Sequence, residues 1–136
     1  METITVETTI GAPVEKVWSV FHEPEHIVKW GSASDDWHTT KAANDLRAGG
    51  TFLYRMEAKD GSAGFDMGGT YDEVIPHELI RYTMGDGRTV RVEFKKEGEG
   101  THIVETFDAE RENSIGMQRG GWQAILDNLK KYTEAL

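Results

Sequence analysis

The groups in this chain best able to do chemistry are five histidines and 24 carboxylates; there is no cysteine. Thiolate nucleophiles, thiolate-ligated zinc, iron–sulfur clusters and disulfides are therefore excluded. His22-Glu23-Pro24-Glu25-His26 spells the H-E-x-x-H of zinc proteases. That motif works by setting two imidazoles one helical turn apart on one face. Pro24 removes a helix hydrogen bond and drives the residue before it out of helical geometry. The segment reads as a turn between two helices, and no metal is expected. His38, His77 and His102 stand alone, and nothing singles one out. No serine sits in a G-x-S-x-G elbow. Gly85-Asp86-Gly87-Arg88 lacks the Lys-Ser/Thr end and following helix of a phosphate loop, so it reads as a hairpin turn. No cofactor is expected, and no residue can be assigned as catalytic.

Most carboxylates, such as Asp35-Asp36, Asp72-Glu73 and Glu110 with Glu112, read as solvating charges. Glu73 and Glu105 differ, because both alternate with apolar residues. Pointing inward, either would have a raised pKa and suit proton transfer. Pointing outward, either would pair with Arg55, Arg81 or Arg91, and that is the expectation, since charges are rarely buried unpaired. Aromatic and methionine residues give the stronger functional signal. Trp30, Tyr54, Met56, Phe65, Met67, Tyr71, Tyr82, Trp122 and Ile125 all fall on candidate sheet-facing or helix-facing positions. The plain alternative is ordinary core, which holds for Phe52 and Val92. Trp and Tyr carry polar tips that need partners and so suit a cavity wall. Methionine adapts to varied apolar shapes. The nine residues form the predicted ligand-binding set.

Met1 to Ile10 alternates polar and apolar residues, as a half-buried strand does. Gly11-Ala12-Pro13 breaks it, and Pro13 suits the first position of a helix whose face is Val14, Val17, Trp18 and Phe21. Pro24 ends that helix and opens a second through Ile27 and Trp30. Residues 31–36 read as a loop, and a weak strand follows near Trp37 to Ala42. Gly49-Gly50, Asp60-Gly61, Gly85-Asp86-Gly87 and Gly98-Glu99-Gly100 then punctuate an antiparallel meander. One strand face carries Phe52, Tyr54, Met56 and Ala58; another carries Phe65, Met67, Gly69 and Tyr71. A helix from about Ser114 to Ala135, roughly 33 Å long, closes the chain. Its predicted stripe is Trp122, Ile125, Leu129, Tyr132 and Leu136, flanked by Met117 and Leu126. The sheet's apolar face and this stripe must bury against each other. A curved antiparallel sheet of about six to seven strands wrapped around one helix leaves space at the ends of the contact.

At 136 residues the chain reads as one α+β domain, 1–136. It would bury roughly 68% of its unfolded surface without a staple. The net charge of −9 argues against nucleic acid or an anionic membrane as a main partner. No targeting signal or bilayer-length apolar run is read, so the expected compartment is the cytoplasm.

Four segments carry a resemblance to a known family: Ala12 to Trp18 with Pro24 and Trp30; Asn44-Asp45-Leu46-Arg47-Ala48-Gly49-Gly50; Gly69 to Pro76; and Gln118 to Leu129. In this order they resemble the START-like, helix-grip superfamily, in the branch of the polyketide-cyclase-like and activator-of-Hsp90-ATPase homologue domains. The resemblance implies a ligand cavity between sheet and C-terminal helix, but no particular reaction. The leading expectation is a small binding protein for a hydrophobic or amphipathic small molecule. The second is a cyclase- or dehydratase-type enzyme using an inward carboxylate or Tyr. The third is a co-chaperone-like protein with a chaperone partner on its outer surface. Against the third stands the second, chaperone-docking domain that such family members usually carry and that is not seen here.

Overall fold

The computed structural model describes residues 2–32 and 35–136. Met1 and, within the loop read at 31–36, Ala33 and Ser34 lie outside the described residues. The element order is β1 (Thr3–Ile10), α1 (Val14–His22), α2 (Pro24–Trp30), β2 (Trp37–Asn44), β3 (Thr51–Ala58), β4 (Gly64–Ile75), β5 (Leu79–Met84), β6 (Thr89–Glu97), β7 (Gly100–Asp108) and α3 (Ile115–Glu134). The seven strands form one antiparallel sheet in the order β1-β7-β6-β5-β4-β3-β2. β1 and β2 are thus opposite edges, and α1–α2 carries the chain from one to the other. The curled sheet grips α3, and the fold is the α+β helix-grip fold.

Two prolines set the geometry of the crossing. Pro13 lies one residue before α1 rather than inside it: its ψ of 152° is extended. Its carbonyl accepts from Lys16 and Val17 N–H at 3.1 Å each. Pro24 occupies the first turn of α2, and the extended Glu23 before it separates the two helices. Asn44 Nδ2 donates to the His22 carbonyl at 2.7 Å, tying the end of β2 to the end of α1.

α3 is 20 residues, about 30 Å, and Ser114 caps it by accepting from the Met117 N–H. Its predicted stripe is corrected in part. Leu126 and Leu129 are fully buried, Trp122, Ile125 and Tyr132 are half-buried, and Leu136 and Met117 are exposed. Leu136 lies past the last turn of the helix. Thr133 is also buried, and its hydroxyl is satisfied by donating back to the Leu129 carbonyl at 2.7 Å. α3 packs chiefly along β1, so the inner faces of β3, β4 and β5 have no helix directly upon them.

A bulge in β4 decides which side chains face inward. Tyr71 pairs with Tyr82, but Glu73, not Asp72, is the partner of Arg81. The extra residue flips the alternation, so Val74 rather than Glu73 faces Ile80 on the inner side. Among the described residues no helix is long and apolar enough to cross a membrane.

Candidate functional site

Where α3 leaves β3–β5 uncovered there is a cavity of about 510 Å³. Its floor comes from alternation along three strands: Tyr54 and Met56 on β3, Phe65 and Met67 on β4, Tyr82 and Met84 on β5. Trp30 and Ile27 of α2 close one side, and Trp122, Ile125 and Leu126 of α3 form the roof. Asp66, Asp86, Arg88 and Glu110 are the charged residues of the wall, with Glu105 as the one deeply buried acid.

Phe52, read from sequence as plain core, is the support for the aromatic wall. Its ring centroid lies 5.1 Å from Tyr54, 5.2 Å from Tyr71 and 4.9 Å from Tyr82. The ring also lies over Gly69, where a Cβ would come within 2.5 Å of the Thr83 carbonyl and 3.0 Å of Phe52 itself. Only glycine fits there, and that lets β4 pass under the ring.

Eight of the nine predicted ligand-binding residues line this cavity: Trp30, Tyr54, Met56, Phe65, Met67, Tyr82, Trp122 and Ile125. Tyr71 is not among them. Its hydroxyl donates to Asn44 Oδ1 at 2.6 Å, behind the wall, and the Tyr54 hydroxyl turns toward it. Burial pushes the Tyr71 phenol up to about 12 and the phenols of Tyr54 and Tyr82 well above their ordinary value, so all three stay neutral donors. The Trp30 Nε1 donates to the Val20 carbonyl at 2.9 Å, so that indole shows the cavity its apolar face. Met56 sulfur accepts from the Thr39 hydroxyl at 3.1 Å, which fixes it against β2.

The two singled-out carboxylates part company. Glu73 pairs with Arg81 at 3.0 Å on the outer face, as the bulge requires. Glu105 faces in, between Val6 of β1 and Val92 of β6. It is 7% exposed, and burial alone pushes its carboxyl up to about 7. Outward pairing was the expectation for it, and the structure overturns that. On β7 the inward parity is set by Ile103 and Phe107, and 105 shares it. His102, with the opposite parity, contacts Thr9 Oγ1 at 2.8 Å and Glu7 at 3.2 Å on the outside.

His22 and His26 fall on different helices. His22 Nδ1 contacts the Trp18 carbonyl at 2.6 Å and His26 Nδ1 the Tyr132 hydroxyl at 2.7 Å. Among the described residues the donor atoms of Glu23, Glu25 and His26 lie within 4.8 Å of one another, a set that leaves out His22. It is therefore not the two-histidine arrangement that the letters spell.

Sequence reasoning missed Met84, Arg88 and Glu110 as cavity residues. Met84 was legible, since it continues the Ile80–Tyr82 alternation. Arg88 was not, because it comes from the Gly85–Arg88 turn, where the Met84 N–H donates to the Arg88 carbonyl at 2.7 Å and folds the arginine back to the mouth. There it pairs with Asp86 at 2.7 Å.

A family model described as Activator of Hsp90 ATPase homolog 1-like protein matches residues 11–134. Among curated proteins none matches. The solution structure of the AHSA1-like protein from Aeromonas hydrophila is 46% identical, with a TM-score of 0.93 over 98% of this chain and 93% of that one. Chr148 from Cytophaga hutchinsonii is 55% identical, with a TM-score of 0.85 over 98% of this chain and 92% of that one. Protein CV1439 from Chromobacterium violaceum is alike in fold alone, at 24% identity and a TM-score of 0.87 over 98% and 99% of the two chains.

Proposed function

This chain belongs to the Activator of Hsp90 ATPase homolog 1-like family, and we propose that residues 1–136 form one domain of a cytoplasmic protein that holds a hydrophobic or amphipathic small molecule. The observation that carries the reading is the cavity of about 510 Å³ walled by tyrosines, tryptophans and methionines. Such a volume suits a small organic ligand, and apolar walls with a few polar groups are the usual chemistry of such sites. Affinity comes from apolar area removed from water, and the Tyr82 hydroxyl and Glu105 orient the ligand. The exposed large apolar side chains Leu53, Phe65, Ile75, Met117 and Leu136 are spread over β3, both ends of β4, α3 and the C-terminus. That dispersal favours the cavity over a chaperone-docking face. The enzyme reading draws support from Glu105, an acid whose carboxyl sits near neutrality inside an aromatic pocket.

The test is a fluorescence titration with N-phenyl-1-naphthylamine, an uncharged apolar dye. Saturable one-to-one binding is expected. Met67 lies half-buried on the floor, so Met67→Trp should fill the space and abolish binding while the melting midpoint moves by only a few degrees. No saturation in the parent, together with overpacking destabilisation of about 1–3 kcal/mol in the variant, would mean solid core and would overturn the reading.

A further inference from the structure

We infer that the cavity selects an uncharged, largely apolar molecule presenting an acceptor oxygen, received by the carboxylic acid of Glu105 together with the Tyr82 hydroxyl. This rests on the cavity reading above and specifies the ligand class.

The inference starts from what surrounds Glu105. Its cross-strand neighbours are Val6 and Val92, and Ile103 and Phe107 flank it on its own strand and face. The roof from α3 brings Trp122, Ile125 and Leu126, none of them ionisable. Among the described residues its carboxyl takes no hydrogen bond and no ion pair from the protein, yet it lines the cavity. A buried carboxyl with no protein partner needs one from the ligand or from water.

The other titratable groups on the cavity decide the sign of that partner. β5 brings Tyr82, whose phenol is raised first by burial and second by the charge of Glu105. The β5–β6 turn brings Arg88 already neutralised by Asp86 at 2.7 Å. β3 brings neutral Tyr54, β4 brings Asp66, and the segment after β7 brings Glu110. Asp66 pairs with Arg55 at 3.5 Å and Asp86 with Arg88 at 2.7 Å, so among the described residues Glu110 is the carboxylate of the wall left without a cation, and that net negative charge disfavours a carboxylate or sulfonate ligand. Deep inside, the Glu105 carboxyl, which burial shifts toward its neutral form, and a phenol can both offer O–H donors in apolar surroundings. Two such donors lining one cavity, from β7 and from β5, suit an acceptor such as a ketone, an ester or an amide carbonyl. A cation would be drawn to the same carboxyl only in its ionised form, which burial opposes.

Three dyes and two variants test this. Prodan is an uncharged naphthyl ketone. N-phenyl-1-naphthylamine is uncharged without an acceptor oxygen. 8-Anilino-1-naphthalenesulfonate adds an anion to the same scaffold. With the native protein, prodan affinity should fall about thirtyfold between pH 6 and pH 8.5 as Glu105 loses its proton. The naphthylamine should stay within about threefold over that range, and the sulfonate should bind more weakly than either. Glu105→Gln keeps a donor and should make prodan binding independent of pH. Glu105→Leu should cost prodan about tenfold and leave the naphthylamine unchanged. Prodan and the naphthylamine sharing one flat profile would overturn the acceptor inference while leaving the cavity intact. PH dependence persisting in Glu105→Gln would overturn it too. If neither uncharged dye saturates, the cavity reading itself falls.

Discussion

On the β1–β7–β6 side the inner face of the sheet is solid; on the β3–β4–β5 side it is not. Both sides alternate apolar and polar residues, and both turn their apolar set inward. On the first, Val92, Ile103 and Ile10 are at 0% exposure. On the second, Tyr54, Met67 and Met84 are half-buried and Phe65 is 50% exposed. The difference lies in what covers them. α3 runs along β1, and its C-terminal half brings Leu126, Leu129 and Thr133 into contact. A straight helix cannot follow a sheet that curls away from it, so the far strands are left to face a cavity. Residue types agree with the division: aliphatics that interlock in the packed half, and Met and Tyr, which tolerate an open neighbour, in the other.

The largest expected effect tests that division directly. Phe107 is 1% exposed and stacks on Trp122 at 3.9 Å between ring centroids. Phe107→Ala should cost about 3–5 kcal/mol. Met67→Ala, on the open side, should cost about 1 kcal/mol or less, since part of that side chain already faces the cavity. Urea midpoints at unchanged slope give both values. Equal losses would mean that the two halves are packed alike, and the comparison would fail.

Glu105 sits on the border between the halves, and its effect is the next in size. Its carboxyl ionises near 4.5 when unfolded and near 7 in the folded state. The folded state therefore holds the proton more tightly. The neutral acid's full contribution is present below pH 4.5 and is lost as pH climbs through 7. The loss amounts to about 3 kcal/mol. Glu105→Gln should remove this part of the pH profile and be the more stable protein at pH 8. The wild-type minus variant difference, taken by urea unfolding from pH 4.5 to 8.5, isolates it from the other titrating groups. A constant difference would place the carboxylate in contact with water or a cation.

How far all this could be read in advance follows the same border. Strand alternation placed Tyr54, Met56, Phe65, Met67 and Tyr82 on the inner face, and Pro24 announced the break between α1 and α2. Alternation is a local rule, and it holds until a bulge breaks it. Glu73 looked like Glu105 in sequence, but the extra residue at Asp72 sends the two to opposite faces. Tyr71 keeps the inward parity and still misses the cavity, because its hydroxyl is captured by Asn44 of β2. That partner is 27 residues away, and periodicity does not see it. Arg88 reaches the mouth through a turn, where no period applies. What was hidden in each case was a long-range partner or a change of register.

The smallest effect bears on why the open half stays open. The first half of α3 carries Gly116, Gly120 and Gly121, and a Cβ added at any of them would meet nothing within 4 Å. These glycines are not there to allow close packing. They weaken the helix itself, since glycine inside a helix costs about 0.5–1 kcal/mol relative to alanine. Gly120 is exposed, its φ is not positive, and no neighbour would be displaced. Gly120→Ala should therefore stabilise the protein by about 0.4–1 kcal/mol, in part by narrowing the unfolded ensemble. The gain should concentrate above the cavity: amide hydrogen exchange in 116–124 should slow, while exchange at Leu126 and Leu129 should change only as far as global stability does. A uniform slowing along all of α3 would mean that the helix opens as one unit, and that its glycine-rich half is held by the sheet as firmly as the rest.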